Sequence, residues 1–308
     1  MEFRILGPLE VLDEGRRLAL GGSKPRALLA LLLLHSGETL GAERLIDELW
    51  GGRPPATAAK SLRVHVSRLR RALTAGRGAH WGELVTRGHG YALVLDPERL
   101  DAHRFERLVA EGRSELAAGR AQRAASALEE ALSLWRGRPL DDLAYEPFAQ
   151  HEIARLDDLH VAALEQLVDA RLGLGRHGEV VAQLERLIAE HPYRERLRVQ
   201  LMLALYRSDR QADALQAYQD ARRALVEELG IEPGERLREL ERAILAQDPA
   251  LAAPAAVSAT GDDGDASSPP AELPSGVVTF LLTDIEGCRA CGRSMRRRWR
   301  PRSSSTTS

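Results

Sequence analysis

The chain has 308 residues, 44% of them hydrophobic and 4% aromatic, with a formal net charge of −2. That length fits two domains or slightly more, and the apolar share is enough for packed cores. No apolar run approaches the ~18 residues of a membrane span; Met1-Glu2-Phe3-Arg4 lacks the start of a secretory signal; and the only cysteines are Cys288 and Cys291, so the expectation is a cytoplasmic protein with no membrane part.

Charge is divided along the chain. Residues 1–95 hold 14 basic and 9 acidic side chains, whereas residues 96–283 hold 22 and 34. A basic head on an acidic body suits a polyanion at one end and protein partners at the other.

The first elements read as short strands. Phe3–Leu6, Leu9–Leu12 and Leu18–Leu20 are apolar runs split by Gly7-Pro8 and by Asp13-Glu14-Gly15. Ala27–Leu34 is continuously apolar but far too short to span a bilayer, so it reads as a central buried helix started by Ser23 and Pro25. A second, amphipathic helix follows over Gly41–Trp50, carried by Leu45, Ile46, Leu49 and Trp50.

The third helix is the most informative. Leu62, Val66, Leu69 and Leu73 fall on one helical face, with Thr57 as N-cap. The opposite face holds Lys60, Val64, Ser67, Arg68 and Arg71, flanked by Arg63 and Arg70. Between Arg53 and Arg87 there are eight basic residues and one acid, Glu83, a local balance of +7. Two alternating runs then meet at Gly88-His89-Gly90, a hairpin tip preceded by Arg87. A basic helix followed by a basic hairpin is the layout of a winged helix-turn-helix, which sets the helix in a DNA major groove and the hairpin on the neighbouring backbone or minor groove.

Residues 61–73 and 86–91 closely resemble the OmpR-type winged helix of bacterial response regulators. The resemblance implies that exposed recognition-helix side chains contact bases and phosphates, and that the arginine before the wing glycine enters the minor groove. Carried over residue by residue, it implicates Arg63, Ser67, Arg68, Arg70 and Arg87, and the charge pattern adds Lys60 and Arg71. His65 lies at the edge of the buried face, where packing and DNA contact are both open readings.

From Asp96 to Ala250 the pattern is helical, broken at Arg136-Gly137-Arg138-Pro139. The segments beginning at Leu172 and Tyr206 align with an offset of 34, so that Gly175 falls on Asp209. Thirty-four residues is the period of tetratricopeptide repeats, helix pairs that bury their apolar faces only against neighbours. Such a stack offers a protein-binding groove; a scaffold or dimerisation module is the alternative. His151, His160, His177 and His191 sit in separate segments and read as structural or exposed.

The middle segment also resembles a known family. Residues 134–143, 146–148, 191–197, 201–215 and 228–234 are similar to the bacterial transcriptional activation domain of the antibiotic regulatory protein (SARP) family, which carries the same winged helix. Asp209 departs from it, since the family usually has glycine at this turn. The resemblance implies binding to direct repeats of double-stranded DNA near promoters and recruitment of RNA polymerase. Paired binding suits a head that reads few base pairs, so a homodimer on DNA is among the expected assemblies. No receiver domain precedes the winged helix in this sequence, so control by a phospho-acceptor aspartate is not expected.

Residues 251–276 are rich in Ala, Pro, Ser, Asp and Gly, as a disordered linker would be. Val277–Gly287 resembles the first strand of class III nucleotidyl cyclases, with Asp284 at the first metal-ligand position. That chemistry needs a second carboxylate, and the 24 residues after Asp284 contain only Glu286. The string Cys291-Gly292-Arg293-Ser294, shifted by one base, can encode Leu-Trp-Glu-Glu, close to the cyclase pattern. A frameshift or sequencing error is therefore expected there, and Cys288 with Cys291 is too small a set for a zinc site.

The expected fold is thus mainly α. An α+β winged helix-turn-helix at 1–95 precedes an all-α TPR-like repeat domain at 97–250, a linker at 251–276, and a truncated cyclase-like strand with an out-of-frame tail at 277–308. The expected function is sequence-specific transcriptional activation, in keeping with a secondary-metabolite cluster, with no enzyme activity, cofactor or metal. The rivals are a truncated nucleotidyl cyclase-linked regulator and a TPR-type adaptor.

Overall fold

The structure is a computed structural model that describes residues 1–74 and 82–252. The linker and the cyclase-like segment, with Asp284, Cys288 and Cys291, lie outside the described residues. Strands β1 (Glu2–Arg4), β2 (Glu10–Asp13) and β3 (Arg16–Arg17) form an antiparallel sheet in that order. Glu14 and Gly15 close β2–β3 with φ of 48° and 80°, the paired positive values of a tight two-residue hairpin. This turn brings Arg16 and Arg17 into the ladder, so the apolar run Leu18–Leu20 lies beyond β3 rather than forming it.

Helices α1 (Ser23–Leu34), α2 (Ala42–Trp50) and α3 (Ala58–Thr74) follow. Gly22, not Ser23, is the N-cap of α1, in extended backbone without a side-chain bond, and Pro25 sits in the first turn. Ala27 through Leu33 are all buried because α1 packs on α2, α3 and a strand of the wing. A second sheet has the order β4 (Leu40–Gly41), β6 (Gly90–Leu95), β5 (Gly82–Arg87). The short strand β4 was not expected. It explains Gly90, where a Cβ would come 2.3 Å from the Leu40 carbonyl oxygen.

The helical part comprises α4 (Asp101–Ala117), α5 (Ala121–Ser133), α6 (Pro147–Gly173), α7 (His177–Glu190), α8 (Glu195–Tyr206), α9 (Gln211–Leu229) and α10 (Glu235–Leu245). The starts of α7 and α9 are 34 residues apart, as the repeat requires. Gly175 and Asp209 both take left-handed backbone, with φ of 78° and 60°. Gly119 (72°) and Gln247 (51°) do the same after α4 and α10. At all four ends the left-handed residue bonds back three positions and its successor five, over 2.9–3.2 Å. This is the Schellman arrangement, which satisfies carbonyls that the helix end would leave open.

Head and helical part share one hydrophobic core. It runs from Met1 and Phe3 through α1 and α3 to Leu156, Leu167 and Ala170, while a second core extends from Val168 to Ile244. The break at Arg136–Pro139 is the joint between the head and the helical part. Arg136 and Leu140 donate their backbone N–H groups to the carbonyls of Leu6 (2.8 Å) and Ile5 (3.0 Å). In return, Ile5 and Leu6 donate to the buried carboxylate of Asp101 at 2.8 and 3.0 Å. The backbone groups of Ile5 and Leu6, just beyond β1, are thus satisfied by the helical part.

Candidate nucleic-acid interface

The periodicity of α3 fixes which side is free. Leu62, Val66, Leu69 and Leu73 are at most 2% exposed, and Lys60, Arg63, Val64, Ser67, Arg68 and Arg71 are exposed. Among the described residues, none of Lys60, Arg63, Arg68, Arg71 and Arg87 has an acidic partner within ion-pair distance. By contrast, arginines of the helical part are widely paired, as in Arg107–Glu98, Arg155–Glu106 and Arg196–Asp169. A set of unneutralised cations on one helix face produces a local positive potential that an acidic body does not cancel at short range. Among the described residues, Arg63 donates only to the carbonyl of Ala59 in its own helix, at 3.3 Å.

The wing is a six-pair antiparallel ribbon, from Gly82–Leu95 to Arg87–Gly90. Gly88 opens its two-residue turn with φ 55°, a position where glycine carries no side-chain penalty. The His89 carbonyl accepts from Ala42 N–H at 3.0 Å, tying the tip to the start of α2. Arg87 is exposed next to this fixed tip.

Two residues of this helix have partners that helical spacing did not indicate. Arg70 is half-buried, and its guanidinium is engaged by the wing: Nε donates to the Leu84 carbonyl at 2.8 Å and a terminal nitrogen to Thr86 Oγ1 at 2.7 Å. Helical spacing reports which face a residue occupies but not a partner beyond the helix, so this bond had no signature. His65 packs beside Trp50, with ring centroids 6.5 Å apart and 28° between planes. Burial, and then the nearby Arg68 charge, hold its pKa below the usual histidine value. The packing reading of His65 is the one the geometry favours.

Val64 was visible on the exposed face but had no role. It is 40% exposed amid Lys60, Arg63, Ser67 and Arg68. An uncovered apolar side chain in a cationic face is a candidate for contact with a thymine methyl group.

Elsewhere the described residues contain no group of His, Cys, Asp and Glu able to hold a metal ion, and no helix long and apolar enough to cross a membrane. His160 stacks on Trp135 at 4.1 Å, and His177 is buried.

Comparison with known proteins accords with this geometry. Residues 15–93 match the family described as "Transcriptional regulatory protein, C terminal", and residues 100–245 match the "Bacterial transcriptional activator domain". The chain is 43% identical over 308 residues to the regulatory protein AfsR of Streptomyces coelicolor, covering 96% of this chain and 30% of AfsR. It is 39% identical over 256 residues to the regulatory protein DnrI of Streptomyces peucetius, covering 82% of this chain and 94% of DnrI. A solved structure, Mycobacterium tuberculosis EmbR in complex with a low affinity phosphopeptide, superposes with a TM-score of 0.78 at 38% identity, covering 80% of this chain and 65% of that one. The chain therefore spans less than a third of AfsR but nearly all of DnrI. The chain belongs to the SARP family of bacterial transcriptional regulators, in which a winged helix is followed by a bacterial transcriptional activator domain.

Proposed function

We propose that the chain is a sequence-specific DNA-binding transcriptional activator that reads direct repeats beside promoters of a secondary-metabolite cluster. The observation that carries this reading is the unpaired cationic face of α3 beside the exposed Arg87 of the wing. Residues 1–95 form the DNA-reading head. Arg63, Ser67 and Arg68 face base edges, Lys60 and Arg71 hold phosphates, and Arg87 enters the minor groove. Residues 97–250 present the acidic, protein-facing side to RNA polymerase, and the protein acts in the cytoplasm. Two copies side by side on adjacent repeats suit a head with a single reading helix.

The test is selection from a random duplex library with the full chain, followed by a reporter driven by the promoter that carries the selected site. Enrichment of a repeated motif and activation of that promoter are expected. Recovery of no motif would overturn the reading, and binding without activation would reduce it to a DNA-binding adaptor.

A further inference from the structure

We propose that Arg70 is a positioning residue that braces the wing against the reading helix and thereby aims Arg87, and that it is not itself a phosphate ligand. The inference rests on the DNA-binding reading above and assigns one part of that surface. Its basis is the connection between α3 and β5. Among the described residues, the two bonds from Arg70 to Leu84 and Thr86 are the only hydrogen bonds between these elements.

The sheet order β4-β6-β5 makes β5 an edge strand, with one row of backbone groups outside the ladder. Counting back from the hairpin-closing pair Arg87–Gly90, Leu84 falls on a pair whose carbonyl points off the ribbon. Arg70 supplies a donor to that carbonyl and to the next side chain on the same face, Thr86. The planar guanidinium fork holds both bonds in one geometry. Thr86 immediately precedes Arg87, so fixing it fixes the strand direction from which Arg87 projects. Side chains alternate along a strand, so Arg87 leaves the ribbon on the face opposite Thr86 and remains free to reach out. A lysine would keep the charge but lose the fork.

The experiment uses the full chain and the selected duplex, with the base pairs under the wing set to A/T or G/C. Variants are R70A, R70K, T86V and R87A, with R70A also placed in the R87A background. In the free protein, amide hydrogen exchange over residues 83–90 should quicken in R70A and, less strongly, in T86V. On DNA, R87A should lose roughly tenfold of the preference for the A/T flank. R70A should lose as much within a factor of two, with R70K not restoring it. In the R87A background, R70A should add less than twofold and leave the salt dependence unchanged.

The proposal is overturned if R70A weakens binding equally in both backgrounds and lowers the salt slope by about 0.9, the mark of one lost phosphate contact. It is also overturned if wing exchange is unchanged. Should R70A not fold, the near-isosteric T86V decides, because silence in both exchange and flank preference defeats the brace. If the wild-type chain binds no duplex, the DNA reading fails, whereas exchange in the free protein still reports on the brace.

Discussion

Arg26 and Asp142 are 116 residues apart in the sequence and joined across the two halves of the molecule. Arg26 Nε donates to Asp142 at 2.9 Å, a terminal nitrogen bonds the same carboxylate, and Asp142 also accepts from Leu9 N–H at 2.7 Å. One carboxylate thus holds α1 and the residue just before β2 to the turn before α6. Asp142→Ala should leave a buried N–H and a guanidinium without their partner. The expected loss is about 1–3 kcal/mol, with Asp142→Asn losing less. Urea unfolding measures it, and a loss below about 0.5 kcal/mol would show that the joint is held by the apolar core alone.

The four Schellman ends give an internal control. Gly175→Ala puts a side chain on left-handed backbone and should cost about 1–2 kcal/mol. Asp209→Gly relieves the same conformation but loosens the unfolded chain, so a gain below about 1 kcal/mol is expected. Thermal unfolding of both variants decides. A loss in Asp209→Gly as large as in Gly175→Ala would contradict the account of these turns.

Local, periodic features were legible in the sequence. The buried face of α3 follows from Leu62, Val66, Leu69 and Leu73, and the repeat from Gly175 and Asp209. What had no period was not legible. The α4–α5 hairpin has the same left-handed end at Gly119, but the joint between α5 and α6 separates it from the later units, so no constant offset links them. The bonds of Asp101 to Ile5 and Leu6 span 96 and 95 residues, and only the folded chain brings them together. The engagement of Arg70 is of this kind, since an arginine on a helix face looks the same whether it meets solvent, DNA or an edge strand.

Acidification should weaken the fold through its packed histidines. Burial lowers the pKa of His160, with His191 adding to the effect and Glu190 opposing it, and burial likewise lowers His177. Below the ordinary value of 6.5 the unfolded chain then binds protons that the folded chain refuses, so stability rises with pH there and falls as pH drops. Burial raises the carboxyls of Asp101 and Glu165, whose effect has the opposite sign. The histidine contribution is therefore read as a difference between proteins. His160→Phe keeps a ring on Trp135, and combined with His177→Leu it should lose less stability than wild type between pH 7.5 and 5.5. Parallel pH profiles in urea unfolding would refute this origin.

Arg87→Ala should weaken binding more on duplexes with A/T-rich flanks than on G/C-rich ones, because a narrow minor groove concentrates negative potential. Fluorescence anisotropy with matched duplexes provides the comparison. Indifference to the flank would remove the minor-groove role while allowing a backbone contact.

Base reading by α3 predicts a different pattern. Arg68 is exposed on the face opposite Leu62 and Leu69, without an acidic partner among the described residues. Arg68→Ala should lower affinity for the selected site by about 1–3 kcal/mol, the range for a lost base contact. On random duplex the loss should be no more than that of one phosphate contact. Val64→Ser keeps the charge of the face but removes its apolar patch. If Val64 meets a thymine methyl, this variant should erase the preference for thymine over uracil at one position and leave the salt dependence intact. Replacing each thymine of the site in turn by uracil identifies that position. Equal losses on selected and random DNA for Arg68→Ala would reassign it to the backbone, and a Val64→Ser variant that still distinguishes thymine from uracil at every position would exclude the methyl contact.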